Sequence, residues 1–143
     1  MSKGDTFEND LLKMIFQATA IANIADNAAA SPLTNLYVSL HTADPGDAGN
    51  QTTNETAYTG YARVAVARSG SGWTVTGNSV SPAANIDFGE CTASPGAAIT
   101  HFGVGTASSG TGKLLYKGAV SPNITMAVGV TPRLKTTSAI TED

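Results

Sequence analysis

A glycine-rich stretch, FGVGTASSGTGKLLYKG at residues 102–118, has the residue types of a phosphate-binding loop. Such a loop has Gly, four residues, Gly-Lys and then a hydroxyl residue, and it leads from a strand into a helix whose N–H groups hold the phosphate. Gly112 and Lys113 fit this pattern, but Ala107 stands where the first glycine is needed and Leu114 where the hydroxyl is needed. The residues after Lys113 alternate as in a strand. The stretch therefore predicts a hairpin loop and no nucleotide cofactor.

His41 and His101 are the two histidines of the chain, and each is a candidate for acid–base or metal chemistry. Each lies in a predicted strand, on the face opposite a core residue. No carboxylate cluster adjoins both, and the sequence contains no Gly-x-Ser-x-Gly nucleophile motif. We therefore expect both to be partly exposed strand histidines, and we assign no catalytic residue.

Asp44, Asp47 and Asn50 are spaced i, i+3, i+6 in a loop with glycines, and such oxygen ligands can bind calcium. The EF-hand spacing and its terminal Glu are absent, and Asp and Asn in turns usually bond to their own backbone. Cys91 is the one cysteine, which excludes an intrachain disulfide, and no Cys/His group has zinc spacing. We expect no metal site.

Two aromatic and two basic side chains have more than one interpretation. Trp73 and Tyr61 adjoin alternating strand residues and can stack on sugars or bases, but core packing is the more common use and is favoured here. Arg63 and Arg68 flank a valine-rich strand, where they form either solvated faces or interface salt bridges. No motif decides between these two roles.

The lack of a catalytic constellation, together with a weakly charged surface, favours a binding or structural protein over an enzyme. Charged residues make up 13% of the chain, against about 25% in an average protein, which leaves a weakly charged surface that partners can cover. The net charge is −3 and the basic residues are scattered, which argues against non-specific binding of nucleic acid. Residues 11–30 are apolar, but they follow an acidic flank and contain Lys13 and Asp26. They predict neither a secretory signal nor a membrane span.

The positioning elements begin with one predicted helix over the first thirty residues. Asp5 and Glu8 have the spacing of a capping box, and Ser31-Pro32 is expected to end the helix. One face is apolar at helical spacing, and it comprises Phe7, Leu11, Met14, Ile15, Ala18, Ile21, Ala22 and Ala25.

Leu12 and Phe16 widen the apolar stripe beyond one side of the helix. A helix that is apolar over more than one face can contact both its own domain and a neighbour. The candidate interface residues are Phe7, Leu11, Leu12, Met14, Ile15 and Phe16.

After residue 33 the apolar period changes to two, which is typical of strands. Leu36, Val38 and Leu40 are the predicted core of the first strand, and residues 43–56 are a long polar loop with turn formers. The fold class is mainly β: an antiparallel β-sandwich or jelly-roll-like barrel with one N-terminal α-helix. A helical arm at 1–31 and a β-sandwich domain at 32–143 are expected to form a single compact domain. The other predicted strands are 61–68, 73–76, 85–88, 98–105, 113–120 and one or two in 124–134.

The order of segments resembles a family of small virion proteins of tailed bacteriophages and prophages, commonly labelled phage tail fibre proteins. Three stretches are the most specific: LYVSLHTADPG, YTGYARVAV and THFGVGTASSGTGKLLY. The resemblance covers nearly the whole chain. It implies a non-enzymatic structural protein of the virion that is assembled in the bacterial cytoplasm.

The position on the virion has three interpretations. A fibre usually needs length and trimeric repeats, whereas this chain is short and has no fibrous repeat, so a capsid decoration (cement) protein is favoured. The alternatives are a small tail or tail-fibre component in host attachment, and a hydrolase or sugar-binding module. The expected partners are the major capsid protein or neighbouring virion proteins and further copies in a dimer or trimer, with neither nucleic acid nor membrane.

Overall fold

A computed structural model describes residues 5–21 and 32–142, and within these residues the chain forms one helix and nine strands. The elements are α1 Asp5–Gln17, β1 Asn35–His41, β2 Val64–Ala67, β3 Trp73–Thr76, β4 Ser79–Pro82, β5 Ile86–Asp87, β6 Ile99–Gly105, β7 Leu114–Ile124, β8 Arg133–Leu134 and β9 Ile140–Thr141.

The chain is organised as two compact units. The first comprises Met1–Asn35, Val66–Ile86 and Lys135–Asp143, and the second comprises Leu36–Ala65 and Asp87–Leu134. The expected division into an arm at 1–31 and a single β-domain at 32–143 stays a prediction, because residues 22–31 lie outside the described part of the chain.

The first unit packs α1 against a three-stranded sheet of order β3-β4-β9. β3 and β4 form an antiparallel hairpin with Thr76 opposite Ser79, and Gly77 has a φ of 60° in the turn. Such left-handed backbone is what two-residue hairpin turns such as Gly77-Asn78 need. The core is a set of fully buried side chains, among them Leu12, Phe16 and Trp73.

The helix ends at Gln17, well before the predicted end at Ser31-Pro32. Ala18 takes a left-handed φ of 56°, and the Thr19 N–H closes the end by donating to the Lys13 carbonyl at 3.2 Å. A left-handed residue is a common way for a helix to stop. The apolar period of the sequence continues past this point, so periodicity alone overestimated the helix. The predicted helical residues Ala22 and Ala25 lie outside the described residues.

Most strands of the second unit belong to a four-stranded sheet of order β2-β1-β6-β7, and β8 pairs with the short β5. β1 and β6 are antiparallel with Leu40 opposite Phe102, and β6 and β7 form a hairpin with Val104 opposite Tyr116. The predicted core residues Leu36, Val38 and Leu40 are buried, as expected from their alternation.

The mainly-β, antiparallel fold class with one N-terminal helix is confirmed, and no sheet in residues 32–142 closes into a barrel. Several strand bounds differ from the prediction: 85–88 contains only Ile86–Asp87, and the strand predicted at 113–120 runs from Leu114 to Ile124. The strand predicted at 61–68 covers only Val64–Ala67, because the backbone at Tyr61 is still in a turn, where its N–H donates to the Tyr58 carbonyl at 3.0 Å. The segment 124–134 contains the end of β7 and β8 alone, with a turn from Ala127 to Val130 between them.

Among the described residues no helix has the length and apolarity to cross a membrane.

Candidate functional site

The glycine-rich stretch that suggested phosphate binding is the β6–β7 hairpin. Its glycines make room for the Gln51 side chain: a Cβ at Gly105 would lie 2.2 Å from Gln51 Cδ, and one at Gly112 would lie 2.0 Å from Gln51 Oε1. Gln51 fills this space with no exposed surface and accepts a bond from the Ala107 N–H at 2.9 Å. The hairpin prediction is confirmed, and the small residues serve an internal side chain.

The tip of the same hairpin is held by Arg63. Its Nη1 donates to the Ala107 carbonyl at 2.9 Å, and its Nη2 donates to the Gly110 carbonyl at 2.8 Å. A buried guanidinium needs acceptors for its several N–H groups, and these two carbonyls supply them. The two roles proposed for Arg63 on sequence grounds, a solvated face or an interface salt bridge, are therefore replaced by an internal one.

The Glu55 carboxylate lies at the centre of this polar cluster. Arg63 donates to it twice, from Nε and Nη2, with both distances at 2.7 Å, and the Tyr61 hydroxyl donates to Oε1 at 2.7 Å. The Tyr61 oxygen in turn accepts the Leu40 N–H at 3.2 Å. Burial and the bond to Glu55 raise the pKa of the Tyr61 hydroxyl, and the Glu55 bonds raise the pKa of Arg63. Such bidentate pairs are the strong, orienting kind.

Ser39 and His41 form a hydrogen-bonded pair on the face of β1 opposite Val38 and Leu40. The Ser39 Oγ lies 2.9 Å from His41 Nε2, and His41 Nδ1 lies 2.9 Å from the Thr53 carbonyl. The prediction that His41 is partly exposed was wrong, since both side chains are fully buried. The reason is the long loop after β1, which folds back so that the Thr56 N–H donates to the Leu40 carbonyl at 2.9 Å.

The protonation of this pair follows from its partners. A carbonyl only accepts, so His41 Nδ1 carries a proton, and the Nε2 of the neutral ring accepts the Ser39 hydroxyl proton. Burial holds the pKa of His41 below its usual value, with the Thr53 bond acting in the opposite sense. The sequence signal for this pair is the spacing of Ser and His, because residues two apart in a strand share one face.

This pair has the atoms of a serine nucleophile and its base, but it has no room for a substrate. Ser39 lies opposite Gly103, where a Cβ would be 2.9 Å from both Ser39 Oγ and His41 Nε2. The space that a reacting carbonyl needs is thus filled by backbone. The pair can fix the loop on β1, and its geometry favours a structural role over nucleophilic chemistry.

The loop carboxylates considered for calcium bind a lysine. Lys117 Nζ lies 2.9 Å from Asp44 Oδ1 and 3.3 Å from Asp47 Oδ1. Asp44 also accepts the Gly46 N–H, and these bonds lower the pKa of its carboxyl. Asn50 accepts the Thr52 N–H, as predicted for turn residues. Among the described residues, no group of three His, Cys, Asp or Glu is placed to hold a metal ion.

A groove of about 340 Å³ lies between the tip of this loop and the first half of β7. Gly46, Asp47 and Gly49 form one wall, and residues 114–117 form the other. None of the buried polar residues described above lines it. The groove is thus open to a partner without involving the buried cluster.

His101 lies in β6 of the second unit and is half-buried, as expected. Trp73 and Arg68 lie in the first unit. Trp73 is a core residue, with its ring centroid 4.7 Å from that of Phe16, which confirms the core interpretation. Arg68 donates from Nη2 to the Met14 carbonyl at 2.5 Å and from Nε to the Ile15 carbonyl at 2.6 Å, so it caps the C-terminus of α1.

The six candidate interface residues differ in burial. Leu12 and Phe16 are fully buried in the core of the first unit, whereas Leu11, Met14 and Ile15 are half-buried and Phe7 is 40% exposed. No contact with another chain tests them, and the interface stays a prediction.

The described residues thus form antiparallel sheets in which buried polar side chains bond to one another. The chain belongs to the family of the podophage GP4 fiber I protein gp80, whose family model matches residues 3–141. The resemblance to phage proteins labelled as tail fibre proteins is thereby confirmed, and the family is one of phage fibre structural proteins. No curated protein matches the chain.

Proposed function

We propose that this protein is a non-enzymatic structural component of a phage tail fibre that contributes to host attachment. The observation that carries the proposal is the match of nearly the whole chain to a podophage fiber protein family. The capsid decoration role favoured by sequence finds no support there, because the family's description refers to a fibre. The short chain without fibrous repeats is compatible with this role, since one small unit can serve within a larger fibre.

The internal bonding of the reactive side chains supports the non-enzymatic part of this proposal. Ser39, His41 and Gln51 have no exposed surface, and Glu55 and Arg63 neutralise each other. A catalytic group needs access to its substrate. We assign this cluster to holding the loop and the hairpin tip in place.

Immunogold labelling of purified particles tests the location. We expect gold on the tail, and an immunoblot of separated tails and shells should find the protein with the tails. Label over the shell, together with a higher heat-disruption temperature of shells after addition of purified protein, would instead establish the decoration role.

We further propose that the protein assembles in the bacterial cytoplasm. Its partners there are neighbouring virion proteins and further copies of the chain. Phe7, Leu11 and Met14 support self-association, because an apolar stripe on the outward side of a helix is a common contact between chains. The low charge of the chain supports protein partners over nucleic acid.

A further inference from the structure

One edge of the four-stranded sheet is β7, and the other edge is β2. The strand β7 is the longest strand described, with 11 residues against seven in its neighbour β6. In the order β2-β1-β6-β7, no strand within residues 32–142 lies beyond β7. An edge strand presents N–H and C=O groups that another chain can pair with.

Proteins usually guard such an edge with charges, prolines or bulges. Lys117 is the one charged residue of β7, and its ammonium is held by Asp44 and Asp47 and so does not guard the edge. The pairing skips Leu115, which forms a bulge at one end, and at the other end the register shifts again between Ala119 and Ile124, where Pro122 lies. The central residues between them have no such protection.

The groove beside β7 adds a selective element to this edge. The Asp44 side chain is 54% exposed and the Asp47 side chain is fully exposed, whereas the single cation between them, Lys117, is 26% exposed. Asp47 lines the groove and Asp44 adjoins it through the shared Lys117, so two carboxylates against one ammonium give this corner of the groove a net negative charge. The complementary side chain is basic.

We propose that β7 is the docking edge for an extended segment of a different virion protein, which adds to the sheet as a further strand and places a Lys or Arg side chain beside Asp47. In strand addition, main-chain hydrogen bonds supply affinity and side-chain pockets supply specificity. The choice of a virion protein rests on the proposed function. The free edge follows from the sheet order, and the basic side chain follows from the charges of the groove.

Photo-crosslinking in the particle tests this docking. The phage carries benzoylphenylalanine in place of Ala119, which is exposed on β7, and a matched phage carries it in place of Glu90, which is exposed elsewhere in the second unit. Illumination should join position 119 to a Lys- or Arg-containing segment of another protein, with at least tenfold higher yield than position 90.

Equal yields at the two positions would overturn the docking edge, and adducts only between copies of this chain would overturn the different partner. A protein missing from purified particles would contradict the proposed function, and this partner with it. A protein present on tails without a crosslink at position 119 would contradict the docking edge alone.

Charge reversal tests the basic side chain separately. In the crosslinking phage, Asp47→Lys should lower the adduct yield at least tenfold, because it places a like charge beside the incoming segment. In the same phage, Glu90→Lys makes the same charge change away from the groove and should leave the yield unchanged. Equal melting temperatures of the purified variants show that both fold. An unchanged yield with Asp47→Lys would overturn the basic partner.

Discussion

At the scale of single residues, the second unit depends on polar side chains that bridge distant parts of the chain. Gln51 accepts from Ala107, 56 positions away, and donates to the Tyr37 carbonyl, 14 positions away. Arg63 reaches the hairpin tip 44 and 47 positions later. A buried polar group without partners is costly, so these side chains favour a single arrangement of the loop and the hairpin.

The buried His41 makes stability depend on pH. Its pKa in the folded protein is lower than the usual value of 6.5, so its contribution is complete above about pH 6.5 and is lost as the pH falls through the folded pKa. We expect the unfolding free energy to decrease below pH 6.5 with a slope of up to about 1.4 kcal/mol per pH unit. Urea unfolding between pH 5 and 7.5 measures this slope.

The variant His41→Gln is the control for this titration. It lacks the ionisable ring, so it should be less stable at pH 7.5 but show a smaller decrease between pH 6.5 and 5. An identical slope in wild type and variant would assign the pH dependence to other groups.

The space around Gln51 predicts the effect of a single added methyl group. Gly112→Ala places a Cβ against Gln51 Oε1 and should destabilise the protein by about 1–3 kcal/mol, the usual cost of overpacking. Thr111→Ala, at the exposed neighbouring position, should change stability by no more than about 0.5 kcal/mol. Chemical denaturation of both proteins provides the comparison, and equal stabilities would show that the loop adapts to the Cβ.

The sequence predicted the role of some residues and not of others for a physical reason. The alternation of Leu36, Val38 and Leu40 reports a local periodicity, so their burial could be predicted. The burial of His41 depends on the loop at 43–56, which folds back over β1. No local sequence pattern indicates this fold-back. Gln51 likewise has no sequence signal, because its partners are defined only when the chain is folded.

At the scale of elements, the end of α1 shows why boundaries were harder to predict than strands. The helix stops at a left-handed Ala18, and its last carbonyls are bound by Arg68, which lies 53 and 54 positions from its two acceptors. The apolar period gives no hint of this stop. By contrast β6, and the hairpin that it forms with β7, were predicted well because glycine and turn signals lie beside regular alternation.

The cap on α1 can be tested by removing its donors. Arg68→Ala leaves the carbonyls of Met14 and Ile15 without these bonds, and we expect a loss of about 1–3 kcal/mol together with a weaker helical circular dichroism signal. Arg68→Lys should recover only part of the loss, because an ammonium cannot reproduce the two-pronged geometry.

Arg133→Ala is the matched control for this experiment. It removes an arginine from an exposed pair with Asp87, and exposed ion pairs contribute little to stability. A larger effect of Arg133→Ala than of Arg68→Ala would contradict the capping role.

At the scale of the whole molecule, the apolar stripe of Phe7, Leu11 and Met14 on α1 predicts self-association. Phe7 is 40% exposed, and its replacement in Phe7→Ser should shift wild-type oligomers towards monomers without lowering the melting temperature, since the side chain lies outside the core. Sedimentation at several concentrations measures the mass.

Val128→Ser is the control for this prediction. Val128 is more exposed, at 65%, and lies in the second unit, so its replacement should leave the mass unchanged. A wild-type protein that stays monomeric at every concentration, or a Phe7→Ser protein that still associates, would exclude this side of α1 as the interface.

The interleaving of the two units has a consequence for biosynthesis. The last residue of the second unit is Leu134, whereas the first unit includes β9, where Ile140 pairs with Val80 of β4. A chain that leaves the ribosome N-terminus first therefore completes the second unit before the first, although the first begins earlier. The helix α1 is synthesised before the strands of its sheet, but that sheet is complete only after β9 has been synthesised. A chain that stops after Leu134 would therefore contain the whole second unit and an incomplete first unit.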